Sequence, residues 1–455
     1  MPRVAASLAV LALAAGLAAG RAHGQTVIGV EDAPPALRPA RDEAVFAPVS
    51  VLPRAEVRAP VTRLAPSPDA PRAVRRAAPE GDPYAPLGIR LGTLTLRPSI
   101  TQSAGWDTNP ERVETGAEGR ALSRTEGDLT LESDWSRHAL TGSVGGVYDA
   151  YRGGDLEPRF SGAADLGLRL DIREDTALTL RADAATATER VGSPEVPSDL
   201  AEGPQTTTFG AEAELAMGFN RLQVALRGAI ERSLNEDGVR ADGTRVDRSD
   251  DDFTETLAAL RLGYAVSPRL TPFVEAEIDR RRYEGAGATR DSVGATGRVG
   301  AEIEMTRLLT GEVSAGWQER DYEDPARGDA SGAVAQARLV WTPTPLTTVT
   351  LAGESSIAET SVAGANAAQA RRASVAIAHQ VRRNLVLDAS LSWAGTDYEG
   401  VTLSEELIAA AAGLEWRLNR GLAVTARYAH ERLASTAPDG DHVADVALVG
   451  VRLTR

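Results

Sequence analysis

Residues 162–189 read GAADLGLRLDIREDTALTLRADAATATE, and this stretch decides the fold. In its first half Leu166, Leu168 and Leu170 occupy alternate positions, with charged or small residues between them. The second half, residues 177–188, alternates in the same way after a polar turn at 173–176. A period of two places side chains of opposite character on the two faces of a β-strand. The stretch therefore predicts one β-hairpin with an apolar face and a charged face.

The same pattern recurs from residue 89 to residue 455, which predicts a sheet of repeated hairpins. A soluble sandwich would turn the apolar faces toward each other, whereas a membrane barrel turns them to lipid and keeps charge in a wet lumen. We therefore predict an all-β fold, a transmembrane antiparallel up-and-down β-barrel of about 18 strands. Longer acidic, glycine-rich loops alternate with short turns, which we expect near residues 136–138, 173–176, 220–221, 267–269, 306–307, 342–345, 382–384 and 419–421.

The chain before the barrel divides into two segments. Residues 1–24 carry Arg3, an apolar run and small residues near Gly24, a pattern typical of a secretory signal peptide. Residues 25–88 are rich in proline, which fixes φ and donates no backbone hydrogen bond, so we predict a disordered periplasmic segment. Residues 89–455 would then form a barrel in the outer membrane of a Gram-negative bacterium.

Composition excludes several classes of chemistry. The chain has no cysteine and no lysine, which excludes disulfides, thiolate metal sites, P-loop lysines and Schiff-base lysines. A net charge of −15 without a basic tract argues against nucleic acid as a partner. The histidines are scattered without metal-ligand spacing, and no catalytic elbow or dinucleotide-binding loop is present. We therefore predict no enzyme activity, no catalytic residue, no metal and no cofactor.

Aromatic residues supply a test of the membrane interpretation, because barrels place them at the two boundaries between lipid and water. One set lies just before short turns and predicts an inner girdle: Trp135, Phe219, Tyr264, Trp341 and Trp416. A second set lies near the longer loops and predicts an outer girdle: Trp106, Tyr148, Tyr283, Trp317, Trp393 and Tyr428.

Charged residues fall on the strand faces opposite the aliphatic rows. Arginine facing hydrocarbon at mid-bilayer would cost about 2 to 4 kcal/mol, so these side chains should face water or each other. They would either line an open, selective channel or cross-link a closed one. The candidate lumen-lining residues are Arg169, Arg181, Asp183, Glu212, Glu214, Arg227, Glu275, Glu277, Asp279, Arg281, Arg298, Glu302, Glu304, Asp388, Glu415, Arg417 and Arg427.

Three short segments near the start of the predicted barrel carry a family resemblance. They are residues 83–92 (PYAPLGIRLG), 96–100 (LRPSI) and 105–110 (GWDTNP). A Pro-Leu-Gly entry followed by a first strand ending in an aromatic-Asp-x-Asn motif resembles the start of the putative β-barrel porin-2 family. The resemblance covers roughly residues 83 to 455, with the later hairpins matching in pattern more than in residues.

This resemblance implies an outer-membrane barrel of a kind often associated with capsule or exopolysaccharide production. We therefore expect a porin-like channel that is a conduit or accessory factor for exopolysaccharide export. The alternative is a non-conducting structural or adhesion barrel that displays acidic extracellular loops. The expected partners are outer-membrane lipid and lipopolysaccharide, the barrel assembly machinery, and a polysaccharide or periplasmic export components.

Overall fold

A computed structural model describes residues 83–153, 156–191, 193–196, 200–201, 203–240, 242–306 and 308–455. Its main feature is a closed antiparallel barrel of 18 strands, as the alternation predicted. The strands are β1 Leu94–Asp107, β2 Arg120–Ser133, β3 Ala139–Arg152, β4 Arg159–Arg173, β5 Thr176–Thr188, β6 Gln205–Phe219, β7 Leu222–Asn235, β8 Phe253–Tyr264, β9 Leu270–Tyr283, β10 Ser292–Thr306, β11 Leu309–Tyr322, β12 Ala330–Thr344, β13 Thr347–Ala358, β14 Ala367–Arg382, β15 Leu385–Glu399, β16 Ser404–Arg417, β17 Leu422–Ser435 and β18 His442–Thr454.

Each strand pairs with its neighbours in sequence, and β1 closes the ring against β18. This seam runs from Ser99 opposite Thr454 to Asp107 opposite Val446. A short strand, Ile89–Leu91, pairs with residues Leu94–Leu96 at the start of β1, which the seam with β18 does not reach. Closure satisfies backbone groups that an open sheet edge would leave unpaired in lipid.

The predicted entry motif has a local role beside this short strand. Gly88 has a φ of 73°, in the left-handed region that favours glycine. A Cβ at Gly88 would lie 2.9 Å from the carbonyl oxygen of Leu96. Glycine at this position therefore lets the chain turn closely against β1 before Ile89–Leu91 pairs with it.

Short turns join the strands at one end of the barrel, which we call the short-turn end, and longer connections lie at the long-loop end. The turn predicted at 342–345 lies slightly later, because β12 continues to Thr344, opposite Thr347. A register irregularity between Trp341 and Thr344 accommodates Pro343, which has no N–H to give to a regular ladder.

The two faces of each strand differ in exposure, most clearly on β9. Val274 and Ile278 are 52% and 63% exposed, whereas Glu275 and Asp279 are 5% and 6% exposed. We call the face with exposed aliphatic side chains the outward face and the opposite one the inward face. Burying an aliphatic side chain is worth about 1.5 to 3 kcal/mol, so a continuous exposed aliphatic belt requires lipid as its solvent.

Helical structure is slight in the described residues, with 3₁₀ turns at Ser249–Asp251 and Gly285–Arg290. Among those residues, no helix has the length and apolar character needed to cross a bilayer. The predicted signal peptide at 1–24 and the proline-rich segment up to residue 82 lie outside the described residues. The end of that segment is described, and Arg420 Nε donates to the Pro83 carbonyl oxygen at 3.0 Å.

Candidate pore interior

All the candidate lumen-lining residues occupy inward positions, judged from strand alternation. On β5 to β11 these positions form what we call the charged wall, in which opposite charges are paired between strands that are adjacent or up to three positions apart in the ring. Arg181 lies 2.6 Å from Glu212, and Arg227 lies 2.7 Å from Glu277. The Arg227 side chain is fully buried by its neighbours. Burying a guanidinium requires such pairing, because an uncompensated buried charge is very costly.

The charged wall continues through Glu275 on β9, which joins three strands. Its carboxylate accepts from Arg261 of β8 at 2.7 Å and from Arg298 of β10 at 3.0 Å. Arg261 also forms a fork with Glu312 of β11, at 2.9 and 3.0 Å. Since planar arginine–carboxylate contacts fix geometry as well as charge, this network holds the wall rigid.

Glu359, just beyond β13, gathers a second cluster at the long-loop end. Its carboxylate lies 3.4 Å from Arg281 and 3.1 Å from Arg320, and it accepts from Tyr283 Oη at 2.7 Å and from Ser292 Oγ. The Glu359 side chain is only 1% exposed. One loop carboxylate therefore ties together strands β9, β10 and β11.

The opposite side of the lumen has different chemistry. Inward positions in the middle of β13 to β16 form what we call the small-residue wall, which is bounded by the charged residues Asp388, Glu415 and Arg417 toward the short-turn end and by Glu354 opposite Arg372 toward the long-loop end. Glu415 there accepts from Arg417 Nε at 2.6 Å and from Arg452 Nη1 at 2.5 Å. The small-residue wall consists of Thr350, Ala352, Ser374, Ala376, Ser390, Ser392, Ala409 and Ala411.

The remaining candidates lie on the inward face without one common arrangement. Arg169 pairs with Asp171 at 2.8 Å, both half-exposed, and Asp183 lies against Gly210. Glu302 lies opposite Glu312, and Glu304 lies opposite Thr310. The other inward positions are those of Glu214, across the ladder from Arg227; Asp279, 2.6 Å from Arg320; and Arg427, across from Gly413.

The aromatic candidates lie at outward strand positions or in a short turn, except Tyr283. Tyr283 is an inward residue, because it follows Asp279 and Arg281 at even spacing on β9, and its ring centroid lies 5.4 Å from that of Phe253. The inner set comprises Trp135, half-buried with Nε1 2.9 Å from Thr93 Oγ1, and Phe219, Tyr264, Trp341 and Trp416, which are 46–56% exposed. The outer set comprises Trp106, Tyr148, Trp317 and Tyr428, which are 46–52% exposed, and Trp393, whose Nε1 donates to Glu406 at 2.7 Å.

The aromatic-Asp-x-Asn motif organises the first long loop. Asp107 is fully buried and accepts from Arg112 Nη1 at 2.9 Å, from Tyr151 Oη at 3.1 Å and from the Asn109 backbone N–H at 2.9 Å. The Asn109 amide donates to the carbonyl oxygens of Val113 and Val443, at 2.7 and 3.1 Å. The motif therefore fixes the loop to strands β3 and β18.

The loop between β5 and β6 reaches across the long-loop end. Arg190 Nη2 lies 3.4 Å from Glu405 Oε1 at the start of β16. Glu195 Oε1 accepts from Thr360 Oγ1, just beyond β13, at 2.8 Å. Because β13 and β16 lie seven or eight strands from β5 around the ring, these contacts narrow the mouth above the two walls.

No group of three or more potential metal ligands occurs among the described residues. The lumen instead presents paired charges on one side and short neutral side chains on the other. Such an interior can orient water and solutes through hydrogen bonds and charge.

The family model for "Putative beta-barrel porin 2" matches residues 82–455. The chain belongs to this family. With the barrel and its exposed aliphatic belt, membership identifies an outer-membrane β-barrel. No curated protein matches the sequence.

Several solved outer-membrane structures are similar at low identity. The siderophore receptor PirA from Pseudomonas aeruginosa has 10% identity and a TM-score of 0.38, covering 79% of this chain and 80% of that one. The copper transporter OprC has 11% identity and a TM-score of 0.43, covering 81% of both chains. OccAB4 from Acinetobacter baumannii has 11% identity and a TM-score of 0.39, covering 79% of this chain and 97% of that one.

Proposed function

We propose that the protein is an outer-membrane channel that serves as a conduit or accessory factor for exopolysaccharide export. The observation that carries this proposal is a closed ring of 18 strands whose inward face is polar. Barrels of about 16 to 18 strands enclose more space than their own wall side chains fill, and porins of that size conduct water and solutes. Family membership supports the porin-like part of the proposal.

The division of the lumen supports a particular route. The side chains of the charged wall engage one another, so they project little unpaired charge toward a solute. The small-residue wall offers short hydroxyl and methyl groups, which leave free space beside β13 to β16. A hydroxylated chain such as a neutral polysaccharide would pass here by exchanging hydrogen bonds with water and serines, between the charged residues that bound the small-residue wall at its two ends.

Conductance in planar bilayers tests the channel and its route together. Ser392→Trp places a large side chain on the small-residue wall, and Ala389→Trp places the same side chain on the outward face of the same strand. We expect single-channel conductance to fall about twofold or more for Ser392→Trp, because the cross-section narrows, and to remain unchanged for Ala389→Trp. Equal effects of the two variants would refute the route, and absence of wild-type conductance would refute the channel.

The solute is tested separately from conductance. Liposomes that contain the protein should swell with neutral oligosaccharides up to a size limit, and deletion of the gene should abolish surface polysaccharide. A conducting barrel whose deletion leaves surface polysaccharide intact would be a general diffusion pore, and the export role would be wrong.

A second candidate is a non-conducting structural or adhesion barrel. The contacts Arg190–Glu405 and Glu195–Thr360 favour it, because they place chain across the mouth. Under this alternative, wild-type protein inserted into bilayers gives no conductance. Deletion of the loop segment that contains Arg190 and Glu195 also gives no conductance. Under either function we expect no catalytic step, periplasmic placement of the N-terminal segment, and insertion by the barrel assembly machinery.

A further inference from the structure

We propose that the outward face of β7 to β9 carries a binding site for the phosphorylated headgroup of lipopolysaccharide. The site consists of Arg232, Arg280 and Arg282, which we call the arginine triad. It is independent of the channel, because all three positions lie on the face opposite the lumen.

Strand register brings the triad together. Thr254 of β8 lies opposite Arg232 on one side and opposite Arg282 on the other, so the three form one lateral row. Arg280 lies two residues below Arg282 on the same face of β9, beside Thr256. Lateral strand spacing of about 4.8 Å places all three guanidinium groups within reach of one phosphorylated disaccharide.

The height of the triad fits a headgroup. Moving toward the long loops on the outward face of β9, Val274 and Ile278 are 52% and 63% exposed and belong to the aliphatic belt. Arg280 and Arg282 follow at the next two outward positions, beyond the level of the girdle residue Trp317 on β11. Longer loops of outer-membrane barrels face the outside, so this level corresponds to the outer leaflet headgroups.

The triad is also available to an anion. Arg280 pairs with Glu323 at 2.6 Å, and both side chains are nearly half exposed. Arg232 pairs with Glu284, which is 55% exposed, and lies 4.0 Å from Asp252, which is 13% exposed. Exposed pairs such as Arg280–Glu323 contribute at most about 1 kcal/mol, and the phosphate of a lipid headgroup offers arginine the same bidentate geometry with a larger charge.

Arg282 is the central residue of this argument, because it is exposed and forms no ion pair with a described residue. Apart from Asp252, Glu284 and Glu323, which lie beside the strand ends, the outward carboxylate in the row of Arg280 is Asp321 of β11, which lies beyond Val293 of β10. Two strand spacings, about 10 Å, separate it from Arg280 and weaken its competition for the arginine side of the site.

The test measures lipid A binding to the purified full-length protein. Arg280→Gln combined with Arg282→Gln removes charge from the site, and Arg371→Gln is the control, because Arg371 is also an outward arginine, 45% exposed and paired with Asp397 at 3.0 Å. We expect the double variant to weaken binding of bisphosphorylated lipid A about tenfold or more, with the control and the conductance unchanged. Arg280→Lys combined with Arg282→Lys keeps the positive charge and should retain part of the affinity for lipid A. This result would show that the glutamine variant loses binding through loss of charge and not through misfolding.

Three results would overturn the site. The first is equal affinity of the double variant and the control for bisphosphorylated lipid A. The second is wild-type binding to dephosphorylated lipid A as tight as to the phosphorylated form. The third is displacement of lipid A by inorganic phosphate at millimolar concentration, which would identify a site for the free anion rather than for the lipid.

Discussion

Glu359→Ala is the most informative test of how the charged wall is held. The substitution leaves Arg281, Arg320 and Tyr283 without a carboxylate that is 1% exposed. Breaking a buried ion pair by removing one partner costs about 3 to 5 kcal/mol. Arg320 keeps Asp279 at 2.6 Å and Arg281 keeps Glu255. We therefore expect a loss of about 3 kcal/mol in the free energy of unfolding, at the lower end of that range.

Urea unfolding of the barrel in lipid vesicles, followed by tryptophan fluorescence, measures this loss. Asp397→Ala is the matched control, because it removes a carboxylate from an ion pair whose side chains are 45% and 58% exposed. We expect the control to cost less than about 1 kcal/mol. The cluster would have no stabilising role if the two variants unfolded at the same urea concentration.

Three further outcomes are expected. Burial opposes ionisation of Glu359, but Arg281 and Arg320 outweigh burial and hold the pKa of Glu359 below its ordinary value. The ionised Glu359 should therefore stabilise the fold fully above a pH of about 4.3, and this stabilisation should be lost on further acidification. In urea titrations at several pH values, Glu359→Gln should lack this pH dependence. Asp107→Ala should speed hydrogen exchange in residues 108–119, because Arg112 loses its 2.9 Å partner, and unchanged exchange would show that the loop holds without it. Gly105→Ala should lower the free energy of unfolding, because a Cβ at Gly105 would overlap the Ala447 carbonyl oxygen. Gly127→Ala is the control, because a Cβ at Gly127 meets nothing within 4 Å. Equal urea midpoints for the two variants would contradict this prediction.

Period-two alternation was sufficient to predict the barrel and its strand count. The alternation of apolar and charged side chains, as at Val274 and Glu275, identifies the two faces of each strand. The polar turns between these alternating segments give the number of strands. The displaced turn at Thr344 and the inward Tyr283 show the limits of this approach. A proline changed the local register in the first case, and in the second, nearness to a loop was mistaken for an outward position.

The partners within the lumen were less predictable. Arg261 and Arg320 share the inward parity of their strands, so alternation alone would have found them. Glu359 lies in a loop, where no period applies, and its contacts with β9, β10 and β11 depend on the closed ring. The contact of Arg190 with Glu405 was equally unpredictable, because it joins a loop to the start of a strand that is distant in the sequence and close only in the closed ring.

The seam has a consequence for biogenesis. Asp107 and Val446 lie opposite each other across the seam although they come from opposite ends of the barrel sequence, and the entropy cost of joining two chain positions grows with the length between them. The hydrogen bonds between β1 and β18 should consequently form last. Until they form, both strands have unpaired backbone groups that can pair with other polypeptide chains. The Ile89–Leu91 strand covers part of the β1 edge and none of the β18 edge, so a newly made molecule is most vulnerable to aggregation along β18, from Val446 to Thr454.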